Sequence, residues 1–105
     1  MTARTSREAA AIVRVKIPTA LRSYTGQGEV AVAIPVLAPE LPPTVGGVLA
    51  ALDGAYPGIR FRIVDEQRQL RPHIKLFVGG RLTRDLSPPL TSEAEVTIVA
   101  ALSGG

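Results

Sequence analysis

The sequence predicts an α+β fold, a mixed four- to five-stranded sheet with one helix packed across one face. Three observations predict it. Two short segments near the start alternate apolar and polar residues, which is the period of a half-buried strand. One stretch in the middle carries apolar residues at helical spacing, and an apolar run near the end, Val96 to Leu102, is followed at once by Ser103 and Gly104-Gly105. At 105 residues, 46% of them hydrophobic, the chain suffices for one domain with a single modest core. A mean hydropathy of +0.22 sets it apart from compositionally disordered chains.

The elements follow in order. Residues 1–10 read as a flexible N-terminal tail. From Ala11 to Ile17, Val13, Val15 and Ile17 share one face and Arg14 and Lys16 the other, a first strand that Pro18 ends. A connection rich in turn residues runs to Gly28. Val30, Val32, Ile34 and Val36 then alternate in a second strand, Glu29 to Val36, which forms a hairpin with the first. Pro35 lacks a ladder donor and assigns that strand to an edge. Pro39 to Pro43 forms a stiff link, and Thr44 stands where a helix N-cap belongs. Val45, Val48, Leu49, Leu52 and Tyr56 make one helical stripe, interrupted by Gly46-Gly47, which can permit close packing on a sheet, and stopped by Pro57-Gly58.

Residues Ile59 to Pro72 are polar and basic, with Ile63 and Leu70 as scattered anchors, and read as an irregular excursion. His73 to Val78 is a third strand, Gly79-Gly80 a turn, and Arg81-Leu82-Thr83 a short partner strand. Asp85 to Glu95 is a connection containing Pro88-Pro89. Val96 to Ala101 is the last strand, apolar on both faces and therefore expected to be central and covered. The domain bounds are 11–101, with 102–105 an exposed tail. Strand, strand, helix, strand, short strand, strand is the order of a ubiquitin-like β-grasp. In that arrangement the first and last strands lie side by side and the C-terminus runs off the sheet into solvent.

Composition removes several function classes. With no cysteine there is no disulfide, zinc-thiolate site or catalytic thiol. No apolar run reaches the roughly 20 residues of a membrane helix, and the start has no apolar signal-peptide core, so the cytoplasm is the expected compartment and no membrane partner is expected. The net charge of +3 is spread along the chain; its densest stretch, Arg60, Arg62, Arg68, Arg71 and Lys75, is broken by Asp65 and Glu66. Aromatics for stacking bases are only Tyr24, Tyr56, Phe61 and Phe77. That pattern disfavours nucleic acid and favours a solvated basic face or an acidic protein partner.

On its segments the chain resembles the ThiS/MoaD sulfur carriers, ubiquitin-like proteins of thiamin and molybdopterin biosynthesis. Ile17-Pro18-Thr19-Ala20-Leu21-Arg22 with Thr25-Gly26 is similar to the first strand and loop of the cysteine-biosynthesis carriers of actinobacteria. Thr44-Val45-Gly46 with Val48, Leu49 and Leu52 is similar to the family's helix start. Phe77-Val78, Glu95-Val96-Thr97-Ile98 and the final Gly104-Gly105 match its last third. The chain departs from the family where Gly79-Gly80 replaces a turn often holding Asn, where Ser92-Glu93-Ala94 replaces an Asp-Gly turn, and where Ser103 replaces a small apolar residue.

The resemblance implies a non-enzymatic carrier whose working group is the α-carboxylate of Gly105. An activating adenylyltransferase would transfer AMP from ATP to that carboxylate, and a sulfur donor would open the acyl-adenylate to a thiocarboxylate. Gly104, Ser103 and Leu102 would thread into partner enzymes, and glycine gives that approach its slenderness. No cofactor is bound by the carrier; the partners implied are the activating enzyme, a sulfur-acceptor synthase and, on the cysteine route, a metallopeptidase. Cysteine, molybdopterin, thiamin and secondary metabolites are all open as destinations.

The same residues carry blander readings. The lone His73 lacks partners for a metal site or a triad. Ser103 reads as a spacer, Asp65-Glu66 as a polar loop rather than an acid/base pair, and Gly46-Gly47 and Gly79-Gly80 as packing and turn glycines. Leu102 and the exposed sheet face read equally as partner contacts or ordinary core. Three other functions stay open: a protein modifier joined to lysines through Gly105, a regulatory β-grasp module, and a nucleic-acid binder.

Overall fold

A computed structural model describes residues 10–35, 42–90 and 94–101. The expected N-terminal tail, apart from Ala10, and the expected C-terminal tail, Leu102 to Gly105, lie outside the described residues. β1 (Ala10–Lys16) and β2 (Glu29–Pro35) form the expected antiparallel hairpin, with Val13 opposite Val32 and Val15 opposite Val30. The turn-rich connection is more ordered than its composition suggests. A 3-10 turn (Thr19–Leu21) leads into the one-turn helix α1 (Arg22–Thr25). Leu21 is buried, and Arg22 Nε donates to the Ile17 carbonyl at 3.0 Å.

Helix α2 (Val45–Ala55) begins as expected at Thr44, whose hydroxyl accepts from Gly47 N–H at 3.1 Å. Val45, Val48, Leu49 and Leu52 are all buried. Gly46 does not serve packing on the sheet. Its N–H donates to the Leu86 carbonyl at 2.8 Å, and a Cβ there would stand 3.3 Å from that same oxygen, so the glycine admits the segment after the short hairpin.

The stretch after Pro57-Gly58 corrects the expectation of an irregular excursion. It contains a second helix, α3 (Ile59–Ile63), followed by a bridge between Val64 and Leu70. Asp53 Oδ1 accepts from the N–H groups of Gly58 (3.0 Å) and Arg60 (3.1 Å), capping α3 from the end of α2. Ile59 and Ile63 are buried one turn apart, while Arg60, Phe61 and Arg62 between them are not. Five residues with two apolar anchors are too few for a helical period to show in the sequence.

β3 (Ile74–Val78) and β4 (Arg81–Thr83) form a two-residue hairpin through Gly79 and Gly80, at φ 58° and 86°. Two successive positive φ values are what this tight hairpin demands, and glycine supplies them without strain. β5 (Glu95–Ala100) completes a five-stranded sheet of order β2-β1-β5-β3-β4, parallel to β1 and antiparallel to β3. This is the β-grasp arrangement. β2 is an edge and β5 is central, as expected. β5 is covered on one face only: Val96 and Ile98 are buried, whereas Val99 is 40% exposed. The reason is that α2 and α3 both supply the core side; among the described residues nothing covers the other.

On that open face Arg14 pairs with Glu29 at 3.6 Å and Lys16 with Glu95 at 3.8 Å, joining β1 to both neighbours. Such exposed pairs contribute about 0–1 kcal/mol each. The core carries the fold, with Val13, Val15, Leu49, Leu52, Ile59, Ile63, Ile74, Leu76 and Val96 almost wholly inaccessible.

Replacing Thr44 by alanine removes the cap of α2 and is expected to cost about 1 kcal/mol, whereas Thr44→Gly costs a few tenths. Thermal melts of the two variants against the Thr44 protein check this; an unchanged melting temperature for Thr44→Ala would show that the hydroxyl does not cap the helix.

Candidate functional site

The candidate site is the place where the last strand leaves the sheet. Ala100 pairs with Ile74, and Ala101 N–H donates to the His73 carbonyl at 2.8 Å, one step beyond the end of β5. The sheet therefore holds the backbone up to the residue before Leu102. Leu102, Ser103, Gly104 and Gly105 lie outside the described residues, so what is seen of the expected site is its root.

That root borders a groove of about 660 Å³, with Ala100 and Ala101 on one side. The other walls come from three separate segments: Leu21, Ser23 and Tyr24 around α1, Phe61 and Arg62 on α3, and Glu66, Arg71 and His73 on the chain leading into β3. Two contacts tie the walls together. Arg62 Nε donates to Tyr24 Oη at 2.7 Å, fastening α3 to α1. The Arg71 guanidinium lies over the Phe61 ring, 4.6 Å from its centroid, while its Nε donates to the Phe61 carbonyl at 2.7 Å. Phe61 itself is 55% exposed at the rim.

The groove is cationic and partly aromatic, with Glu66 as its acidic member. The hydrogen bond to Tyr24 pushes the Arg62 guanidinium up from its ordinary value, with a further Coulombic contribution from the same residue; like any arginine it is charged at working pH. Chemically the arrangement can hold a partner's carboxylates and an apolar side chain beside Ala100 and Ala101. The pieces of acid/base or metal chemistry are not assembled here. Asp65 Oδ1 accepts from Gln67 N–H (2.9 Å) and Gln69 N–H (3.0 Å), making it a turn-forming carboxylate rather than half of an acid/base pair. His73 is exposed and contributes its backbone carbonyl, and no metal-holding group of His, Asp and Glu occurs among the described residues.

Sequence reasoning singled out the tail and missed the groove at its root. Tyr24 and Arg62 lie 38 positions apart, and neither belongs to a motif. The available signal was Asp53 with Gly58, followed by Ile59 and Ile63 one turn apart, which marks a capped short helix and puts Phe61 and Arg62 on its outer side.

No protein-family model matches the sequence, and no curated protein matches it. Solved structures do match. The chain is similar to CysO of Mycobacterium tuberculosis at 29% identity and a TM-score of 0.72, covering 86% of this chain and 99% of that one. It is similar to a chain of the Amycolatopsis orientalis BexX/CysO complex at 28% identity and a TM-score of 0.73, covering 89% and 99%. It is also similar to small archaeal modifier protein 1 of Methanosarcina acetivorans at 27% identity and a TM-score of 0.69, covering 91% and 98%. Its structural neighbours are thus ubiquitin-like carrier and modifier proteins, small chains rather than enzymes. No helix among the described residues is long and apolar enough to cross a membrane.

Replacing Tyr24 by phenylalanine removes the acceptor of Arg62 at an exposed position. Stability is expected to change little, because the contact is exposed to water. The Arg62 Nε proton, followed by NMR, is expected to exchange faster with water; unchanged exchange would show that the Tyr24 contact does not hold the guanidinium in solution.

Proposed function

We propose that the protein is a sulfur carrier whose Gly105 α-carboxylate is activated by a partner enzyme and converted to a thiocarboxylate. One observation carries the reading: the Gly-Gly pair follows, after only Leu102 and Ser103, a central strand whose end is pinned at Ala101. The similarity to CysO and to a BexX/CysO complex supports it.

The chemistry fits a chain that catalyses nothing. A carboxylate is a poor electrophile. In the proposed sequence a Gly105 oxygen attacks the α-phosphorus of ATP in the activating enzyme, and pyrophosphate leaves. A sulfur donor then attacks the acyl carbon, and AMP leaves with the carbon–oxygen bond. The resulting thiocarboxylate sulfur is a soft nucleophile for an acceptor bound to a second enzyme. With no cysteine in the chain, sulfur has no side-chain thiol to ride on. The β-grasp body is the handle, Gly104 and Ser103 the slender approach, and Leu102 a contact inside the partner. ATP belongs to that partner, and the carrier holds no cofactor. The reaction sits in the cytoplasm, and cysteine synthesis is the destination best supported by the segment from Ile17 to Gly26.

The similarity to a small archaeal modifier protein favours a second reading, in which the same acyl-adenylate passes Gly105 to a lysine as an isopeptide. Both readings share the first step and diverge in product.

Incubation with ATP, a cognate activating enzyme and sulfide is expected to raise the intact mass by about 16 Da, oxygen to sulfur. A chain lacking Gly104-Gly105 is expected to show no gain while keeping its melting temperature. Higher-mass conjugates in place of the thiocarboxylate would establish the modifier reading. Full pathway function by the truncated chain would sink both.

A further inference from the structure

A second groove lies away from the end of β5. It encloses about 590 Å³ and shares no lining residue with the groove at the tail root. Arg60 from α3, Arg68 from the turn after it and Arg84 from the segment after β4 all border it, over a floor that includes Leu70 and Leu86. Asp85 is its one carboxylate.

None of the three arginines has an ion-pair partner among the described residues, where the pairs are Arg14 with Glu29 and Lys16 with Glu95. The nearby aspartates are occupied by donors of their own turns. Asp53 accepts from Gly58 and Arg60 N–H, and Asp65 from Gln67 and Gln69 N–H. Asp85 accepts from the N–H (3.2 Å) and hydroxyl (3.0 Å) of Ser87. Arg60 and Arg68 also border a neighbouring hollow lined by Asp53, Asp65 and Glu66, yet no carboxylate comes within ion-pair distance of either.

Arg68 adds an independent sign. It is the one non-glycine residue with positive φ, 65°, among the described residues. An L-residue with a long side chain is strained there by roughly 1–2 kcal/mol, and a turn needing only its backbone would hold glycine. An arginine kept at a strained position points to a use for its guanidinium.

We propose that this groove docks an acidic peptide segment of a partner protein, with the guanidinia of Arg60, Arg68 and Arg84 binding its carboxylates and Leu86 meeting an apolar side chain. Guanidinium forks match carboxylates bidentately. The volume exceeds what a single phosphate fills, and no aromatic ring lines the groove to stack a base. The inference stands apart from the Gly105 reading, since neither needs the other.

The test uses the full chain and a short capped peptide of Asp, Glu and one Leu. By NMR the peptide is expected to shift the Nε–H signals of Arg60, Arg68 and Arg84 and leave those of Arg14 and Arg22 in place. Arg68→Gly is expected to weaken binding roughly tenfold, the size of one charged hydrogen-bonded contact, while the melting temperature stays level or rises because strain is relieved. Arg84→Gln serves as a second variant with no backbone effect and is expected to weaken binding comparably. Shifts spread evenly over all arginines, unchanged affinity in both variants, or tighter binding of pyrophosphate or single-stranded DNA than of the peptide would each overturn the proposal.

Discussion

Everything in this molecule hangs on the parallel pairing of β1 with β5, which sets Val15 beside Val96 at the centre of the sheet. A parallel pair cannot close through a tight turn, so every other element lies within the one connection between them. Closing so long a loop costs entropy before it returns contacts, and the apolar core must offset that cost. It does so from both directions. Val13, Val15, Val96 and Ile98 present one continuous apolar face, and α2 and α3 cover it. The same pairing decides where function can sit. β5 pairs with β1 over Glu95 to Thr97 and with β3 over Val96 to Ala100, and Ala101 bonds to His73, so the chain leaves the sheet at a fixed point beside the α1 and α3 walls.

The strands and α2 were legible in the sequence because each carries its period over enough residues. Val30, Val32 and Ile34 alternate, and Val45, Val48, Leu49 and Leu52 repeat at helical spacing behind a Thr44 cap. The glycine pairs were legible in kind, though Gly46 answers to the Leu86 carbonyl, a partner 40 positions away that no local pattern announces. α1 and α3 were not legible. Each is about one turn long, too short for a helical period to show, and is held by side-chain-to-backbone bonds five to seven positions apart, Arg22 to the Ile17 carbonyl and Asp53 to the N–H groups before and within α3. The open face of β5 was misread for a related reason. Val99 looks like core by composition, and only the placement of both helices on the other side leaves it exposed.

The candidate site divides along the same line. Gly104-Gly105 can be read directly, since its chemistry lies in what the residues lack. The groove at its root cannot, because it is assembled from α1, α3, the approach to β3 and the end of β5, and its two fastening contacts join residues with no shared motif.

Charge shows how far local and global levels diverge. The sequence suggests a basic stretch diluted by Asp65 and Glu66. In the fold the nearby aspartates keep their charge but are tied into the backbone. Asp53, Asp65 and Asp85 each turn a carboxylate toward backbone N–H groups, where it builds a cap or a turn. Glu29 and Glu95 meet Arg14 and Lys16 on the open sheet face, where Lys75, opposite Val99, adds one further positive charge. Four arginines, Arg60, Arg62, Arg68 and Arg71, lie on α3 and the segment after it, against Asp65 and Glu66 in the same stretch. A modest net charge of +3 thus includes a weak positive field on one side of a small body. Such a field raises encounter rates with acidic surfaces and orients the approach before any contact forms. For a protein proposed to act when its end enters another protein's site, orientation before contact is a contribution its folded body can make to rate.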